Sequence, residues 1–432
     1  MNKSKKNCLE KKSNILQKVK KVKGTRDLLG NEIILHNHII AKFEKLCNSL
    51  NFSQISTPIL EYIQIFTKSL GLSSDIVSKE MYNFEDQGKE QLVLRPEGTA
   101  AIARAIITNS IENDLNKFFY HGPMFRRERP QSGRLRQFHQ VGIEYVGANN
   151  ILSDLEVIIV AEEFLKDLKI RKKLVLEINS LGNEISRKKY NESLKNYLQE
   201  NFSQLSDLSK ERLKKNPLRV LDSKEENDIK IVQNSPNIID FLDYESKSMF
   251  EDLINGLEKL SINYNINRYL VRGLDYYNHS AFEYVTEEKK SQNTVLAGGR
   301  YNQLFASIGG KDISGVGWAA GVERIEMQMN DLKTKDEKVC FFSTNKELDL
   351  EVLKIIADLK INSSLKIHFI NSGNFKKKFS KANKIGAIGS FILGEDEWKN
   401  KKITWKDFST GVQELVELSN IDQFLNKKFY EK

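Results

Sequence analysis

The sequence predicts an α+β protein: an antiparallel sheet flanked by helices, with a mostly helical insertion and a separate α/β domain at the C-terminus. Three observations carry that expectation. Residues 117–147 (KFFYHGPMFRRERPQSGRLRQFHQVGIEYVG) hold two strand-like runs joined by a polar loop with Gly and Pro, the pattern of a long antiparallel hairpin. Residues 151–260 turn helical, polar and rich in Lys, Glu, Asn and Ser, before aromatic alternation returns over 267–285. Residues 338–432 alternate short strands and helices, the pattern of a compact α/β unit.

The elements follow in order. KGTRDLLGNE (23–32) leads into an amphipathic helix over about 32–50, with Ile33, Ile34, Ile39, Ile40, Phe43 and Leu46 apolar. LNFSQISTPILEY (50–62) reads as a strand bent at Pro58, and proline belongs at strand ends or edges. LVLRPEGTAAIARAI (92–106) is a strand, a turn at Pro96-Glu97-Gly98 and a helix opening at Thr99. NRYLVRGLDYYNHSAFEYV (267–285) is strand-like, AGGRYNQL (297–304) follows, and GVGWAAGVERIEMQM (315–329) is a strand running into a helix. The last domain reads as VCFFST, a helix near 346–361, KIHFI, a helix near 374–386, IGSFILG, KITWKDF and a final helix. The expected division is a disordered lysine-rich tail (1–20), a main domain (21–330) with its helical insertion at about 170–260, a linker near 330–338 and the α/β domain (338–432).

The formal charge of +9 is unevenly placed. Residues 1–23 hold nine lysines and one acid, Glu10, so the rest of the chain is only +1. The body must therefore attract anions through local patches. The tail lacks the apolar core of a secretory signal and the arginines of a mitochondrial presequence. No apolar run approaches the ~18 residues that would span a membrane. Cys8, Cys47 and Cys340 are far apart and the six histidines show no ligand spacing, so neither a disulfide framework nor a protein-built metal site is expected. A reducing cytoplasm fits that usage.

Arginine is the informative residue type. The chain has 51 lysines and sixteen arginines, and five of the latter (Arg126, Arg127, Arg129, Arg134, Arg136) fall within 126–136. A chain that uses lysine where any positive charge will do keeps arginine where its planar, five-donor fork is needed for phosphate or carboxylate. The plainer reading of that segment is a solvated basic loop. There is no G-x-x-x-x-G-K-[ST]. Gly315 to Ala320 has the spacing of a dinucleotide fingerprint but no βαβ unit with a ribose acid. KFSKA (378–382) is similar to the lysine loop of class I synthetases but lacks H-x-G-H upstream, and reads as a solvated helix face. What remains is a spread of charged segments. Glu97, in a tight turn, suits an ammonium group; Arg126 and Arg324 suit phosphates; Glu144 and Tyr277 suit a polar ring. Arg272, beside Asp275 and two tyrosines, is a cation in a half-buried strand. Each alone reads as a surface ion pair or a core tyrosine, but buried charge costs several kcal/mol unless paired, and so many together point to a site.

At these residues the chain resembles class II aminoacyl-tRNA synthetases, in particular their histidyl branch, over about 20–432. FRRERPQSGRLRQFHQVGIE (125–144) resembles motif 2, the segment around Pro58 resembles motif 1, and GVERIEM (321–327) resembles motif 3. RGLDYYN (272–278), GGRY (298–301) and RPEGTA (95–100) are similar to histidyl-specific segments. Gly30, Asn302, Gln303, Trp318 and Ala320 depart from the family pattern. The resemblance implies a class II sheet that cradles ATP, and an anticodon-binding domain at 338–432. It implies Arg126 on the α-phosphate, Arg324 on the γ-phosphate, Phe138 stacked on adenine and Glu128 beside it. Glu97, Thr99 and Gln140 would hold the histidine α-amino group, and Gly98 and Arg126 would also bind histidine. Glu144 and Tyr277 would meet the imidazole with Tyr276 beside them, and Arg272 would lie near the histidine carboxylate and α-phosphate. Arg126 and Arg272 would be the catalytic cations. The implied partners are L-histidine, ATP with Mg2+, tRNA(His) and a second copy in a homodimer, and no membrane. The same fold also serves, without catalysis, as a histidine sensor in a regulatory subunit. That alternative predicts loss of the phosphate-binding arginines and no C-terminal domain, whereas this chain has Arg126, Arg272, Arg324 and residues 338–432.

Overall fold

The computed structural model describes residues 19–71, 74–112, 116–287, 293–329, 337–359 and 365–429. The lysine-rich tail through residue 18 and linker residues 330–336 lie outside these. The chain divides into two units, Met1–Leu332 and Lys333–Lys432.

The first unit is built on an eight-stranded sheet. Its centre is an unbroken antiparallel run of Asn116–Phe125, Gln137–Val146, Gly315–Gly321, Thr294–Arg300, Asn278–Thr286 and Leu174–Ser180. Two short strands, Ser53–Gln54 and Asn265–Ile266, pair in parallel at the two edges. Apolar residues on one face bury against the helices Asn31–Ser49, Ile151–Asp167 and Tyr244–Lys259, with Phe43, Phe164, Leu253 and Trp318 at its centre. Trp318 is buried because its indole N–H reaches the carbonyl of Val157 at 2.9 Å, so a large polar-tipped ring fits there at no hydrogen-bonding cost.

Pro58 lies between two sheets. Ser53–Gln54 joins the large sheet, and Leu60–Tyr62 joins a separate three-stranded antiparallel sheet with Gln91–Leu94 and Tyr82–Glu85. The missing proline N–H falls where the pairing partner changes. The expected helical insertion is narrower than 170–260, because Leu174–Ser180 is a strand of the large sheet and the helices begin at Glu184. Arg171, Lys172 and Lys173 directly before it hide a strand that alternates normally once inside the sheet. The helical layer of 184–259 packs around its own core of Tyr190, Leu194, Leu198, Leu213, Val220 and Ile238.

The second unit has a five-stranded sheet in the order Leu365–Phe369, Glu337–Ser343, Gly389–Leu393, Lys402–Asp407, Gln413–Glu417. The first three strands are parallel and the last two antiparallel. Gln413–Glu417 was not expected, since most of its side chains are exposed and it shows no apolar alternation. Lys378 corrects the solvated reading of KFSKA: it is 3% exposed and donates to the Ser343 carbonyl at 3.1 Å and to Asp349 at 3.2 Å. Among the described residues no helix is long and apolar enough to cross a membrane.

Candidate functional site

The arginine hairpin, the RGLDYY segment and the start of the helix Val322–Glu326 meet at one cleft of about 270 Å3. Glu97, Thr99, Arg126, Glu128, Phe138, Gln140, Arg272, Tyr276, Tyr277 and Arg324 all line it. Gly98 and Glu144 do not. The arginines come from three distant stretches of chain, and each is held in place before any ligand arrives. The Arg126 guanidinium donates from Nε to the Pro96 carbonyl at 2.9 Å and lies 5.3 Å from the centre of the Phe138 ring. Arg324 donates from Nη1 to the Thr294 carbonyl at 2.7 Å. Burial lowers the Arg324 pKa, and the neighbouring Arg134 and Arg126 charges lower it further. That is the electrostatic mark of a cavity with surplus positive charge, which a polyanion would relieve.

The strand expected at Arg272 is not there: the residue stands on the loop before Asn278–Thr286. The alternation of apolar residues around it arises from packing rather than pairing. Its side chain is 13% exposed, forms an ion pair with Glu283 at 2.5 Å and lies 4.8 Å from the centre of the Tyr277 ring. Burial opposes its charge, but Tyr277 and Glu283 outweigh burial and leave its pKa raised. Its Nε is buried without a partner among the described residues, as is Oε1 of Gln140. Both residues line the cleft, so its walls hold two polar atoms whose hydrogen-bonding capacity is unmet.

Glu97 and Glu144 differ in position. Glu97 is 4% exposed and accepts the backbone N–H groups of Thr99 and Ala100, both at 2.8 Å, so it caps the helix Thr99–Thr108. Burial raises its carboxyl above the ordinary range, against the pull of those two N–H groups. Glu144 shares a strand face with Phe138 and Gln140 but lies farther along it, where other side chains close over it. Its carboxylate accepts the Thr99 hydroxyl at 2.7 Å and the Tyr301 hydroxyl, and burial pushes it up to about 8. Glu144, expected with Tyr277 to reach the imidazole, stands directly behind Thr99, which lines the cleft.

Glycine makes room for this layer. A Cβ on Gly317 would lie 2.0 Å from the Glu144 carboxylate. A Cβ on Gly98 would lie 2.3 Å from the Tyr120 ring, so Gly98 serves packing beneath the site. The fingerprint-like run at 315–320 is accordingly a sheet strand with a close-approach glycine, not a phosphate loop.

Residues missed in the sequence are the ones that hold these. Glu283 bridges Arg272 and the Thr294 hydroxyl (2.8 Å). Glu323 accepts the backbone N–H of His139 at 3.0 Å and pairs with its ring at 3.1 Å. Arg300 of GGRY forms an ion pair with Asp154, both side chains 0% exposed, and donates to the carbonyls of Ala148 and Asn150. The one signal for Glu283 was an acid inside an apolar strand, SAFEYV.

Comparison with known proteins shows what the chain is similar to. A family model described as histidyl-tRNA synthetase matches residues 24–325, and one described as an anticodon binding domain matches 338–428. A histidine–tRNA ligase of Rhodospirillum rubrum is 43% identical over 406 residues, covering 94% of this chain and 98% of the relative. One of Gluconobacter oxydans is 39% identical, covering 94% and 97%. The structure of apo S. aureus histidyl-tRNA synthetase superposes with a TM-score of 0.77 at 30% identity, over 94% of this chain and 99% of that one.

Proposed function

The chain belongs to the histidyl-tRNA synthetase family, and from that premise we propose how its cleft works. It acts as a histidine–tRNA ligase. One carboxylate oxygen of histidine attacks the α-phosphorus of ATP, the bond to the bridging oxygen breaks, and pyrophosphate leaves. A ribose hydroxyl of the terminal adenosine of tRNA then attacks the acyl carbon and AMP leaves. The histidine carboxylate is already ionised near neutral pH, so the first step needs no general base.

Arg126 and Arg272 flank the α-phosphate, where charge grows on the five-coordinate phosphorus. A preorganised donor there is worth ~3–4 kcal/mol in the transition state. Arg324 takes the γ-phosphate, and adenine stacks on Phe138 with Glu128 at its edge. Glu97, Thr99 and Gln140 take the α-amino group; the unpartnered Gln140 Oε1 suits that donor. Tyr277 and Glu144 meet the imidazole, with Tyr276 beside them. An apolar analogue would leave these groups unpaired, and such sites reject analogues by ~10⁴-fold or more. Mg2+ would arrive with ATP and neutralise phosphate charge; Glu283 is engaged by Arg272 and the Thr294 hydroxyl, so the phosphates rather than a carboxylate cage would hold it. The second unit would bind the anticodon of tRNA(His). Exposed Ile59, Leu60 and Tyr62, in the segment resembling motif 1, suit a homodimer contact, and a cytoplasmic location fits throughout.

The observation that supports this reading most is the convergence of Arg126, Arg272 and Arg324 on one cleft beside Glu97, Gln140 and Tyr277. The test is ATP–pyrophosphate exchange with pure, folded protein. Exchange that requires histidine is expected; none would favour the sensor alternative.

A further inference from the structure

The loop that carries Arg272, Tyr276 and Tyr277 has no hydrogen-bond ladder of its own. Residues 267–277 form neither helix nor strand, running from Asn265–Ile266 to Asn278–Thr286. Loop carbonyls outside a ladder still take donors, and here side chains behind the loop supply them. Asn179 Nδ2 donates to the Leu270 carbonyl at 3.0 Å. Arg219 Nη2 donates to the Gly273 carbonyl at 2.7 Å. Arg187 Nη1 donates to two carbonyls, of Asp275 at 3.2 Å and Tyr277 at 2.8 Å. These contacts fall immediately after Arg272 and on both sides of Tyr276. On another side Asp275 fills the space over Gly71, where a Cβ would lie 1.9 Å from its carboxylate. Arg187 stands on the first turn of the helix Glu184–Glu200 and Arg219 on the short turn Pro217–Val220. Neither lines the cleft. Both line a second, small cavity that shares Arg272, Leu274 and Tyr277 with it, directly behind the loop.

We infer that Arg187 and Arg219 are positioning residues for histidine activation: by holding the carbonyls of Gly273, Asp275 and Tyr277 they set where the Arg272 guanidinium and the Tyr277 side chain stand, and they tie that geometry to the helical layer. This rests on the reading of function given above. The adenine and γ-phosphate side of the cleft is built by other elements, the hairpin and the Val322–Glu326 helix. Their loss must therefore act, through Tyr277 and Arg272, on histidine binding and on kcat more than on ATP binding.

Wild-type protein is assayed first for histidine-dependent exchange, and its failure there overturns the functional reading itself. With that activity in hand, Arg187→Met is expected to raise KM for histidine by ~10-fold or more, the effect of losing charged hydrogen bonds. KM for ATP should move less than ~2-fold, a split that simple loss of folded protein does not produce. Arg187→Lys, which keeps a single nitrogen able to serve both carbonyls, should recover most of the loss. In an Arg272→Ala background the further loss from Arg187→Met should shrink to ~3-fold or less, since the two act through one loop. If Arg187→Met does not fold, Arg219→Met, on a side chain near the surface, is read by the same histidine-to-ATP split. Unchanged histidine KM, or equal rises in both constants with full additivity, overturns the inference.

Discussion

The two units carry positive charge in opposite ways. All sixteen arginines lie at or before residue 324, and residues 333–432 carry lysine but no arginine. In the first unit the guanidinium groups are anchored: Arg126 to a carbonyl, Arg324 to another, Arg272 to Glu283, Arg300 wholly buried against Asp154. In the second, Lys378 is buried and paired, while Lys376, Lys377, Lys381 and Lys384 on the same helix are exposed. A planar fork fixed at its base suits a ligand that must be held in one pose. A flexible ammonium suits a polyanion whose exact position matters less.

The largest effect should come from separating the units. Removing residues 331–432 should leave pyrophosphate exchange near its original rate and reduce tRNA charging by ~10²-fold or more, because contacts to a polyanion are lost together. Equal loss of both activities would show that the division of labour is wrong. Next is the buried pair. Asp154→Asn leaves the Arg300 guanidinium without its counter-ion, which should cost the first unit ~3–5 kcal/mol. A thermal midpoint for that unit that barely moves would mean Arg300 is not an anchor. Third, Arg272→Ala should lower the adenylation rate by ~10²-fold or more, and by more than it weakens ATP binding. A change confined to Michaelis constants would contradict a transition-state role.

The smallest effect is one of pH. The Glu144 carboxyl is raised from 4.5 to about 8 by burial. Between those values the folded site holds a proton that the unfolded chain has released. Its stabilising contribution is therefore greatest below the lower value and declines as pH rises through the upper one. The acceptor carboxylate dominates only above about 8. Hence kcat/KM for histidine should rise several-fold between pH 7 and 8, on the order expected for one titrating group. Glu144→Gln should flatten that limb; identical profiles in both proteins would assign the titration elsewhere.

Much of this was legible in the chain because it is local. The hairpin announces itself through two strand-like runs around a polar loop, and the Pro96-Glu97-Gly98 turn through residues that cap a following helix. Other features were not. Leu174–Ser180 was hidden by the basic residues before it, and RGLDYY took on the look of a strand although none of its residues lies on one. Glu283, Glu323 and Arg187 carry no local signal strong enough to set them apart from ordinary surface charge.

By itself the sequence determined which residue types the site would use and on which segments they would stand, because helix, strand and turn preferences and side-chain chemistry act over a few neighbours. Only the tertiary structure decided that Arg272 leans on Glu283, that Glu144 lies under Thr99 and Tyr301, and that Arg187 grips the loop from behind. Those pairings join residues up to 157 positions apart. They depend on strand register and packing, which no short stretch of chain encodes.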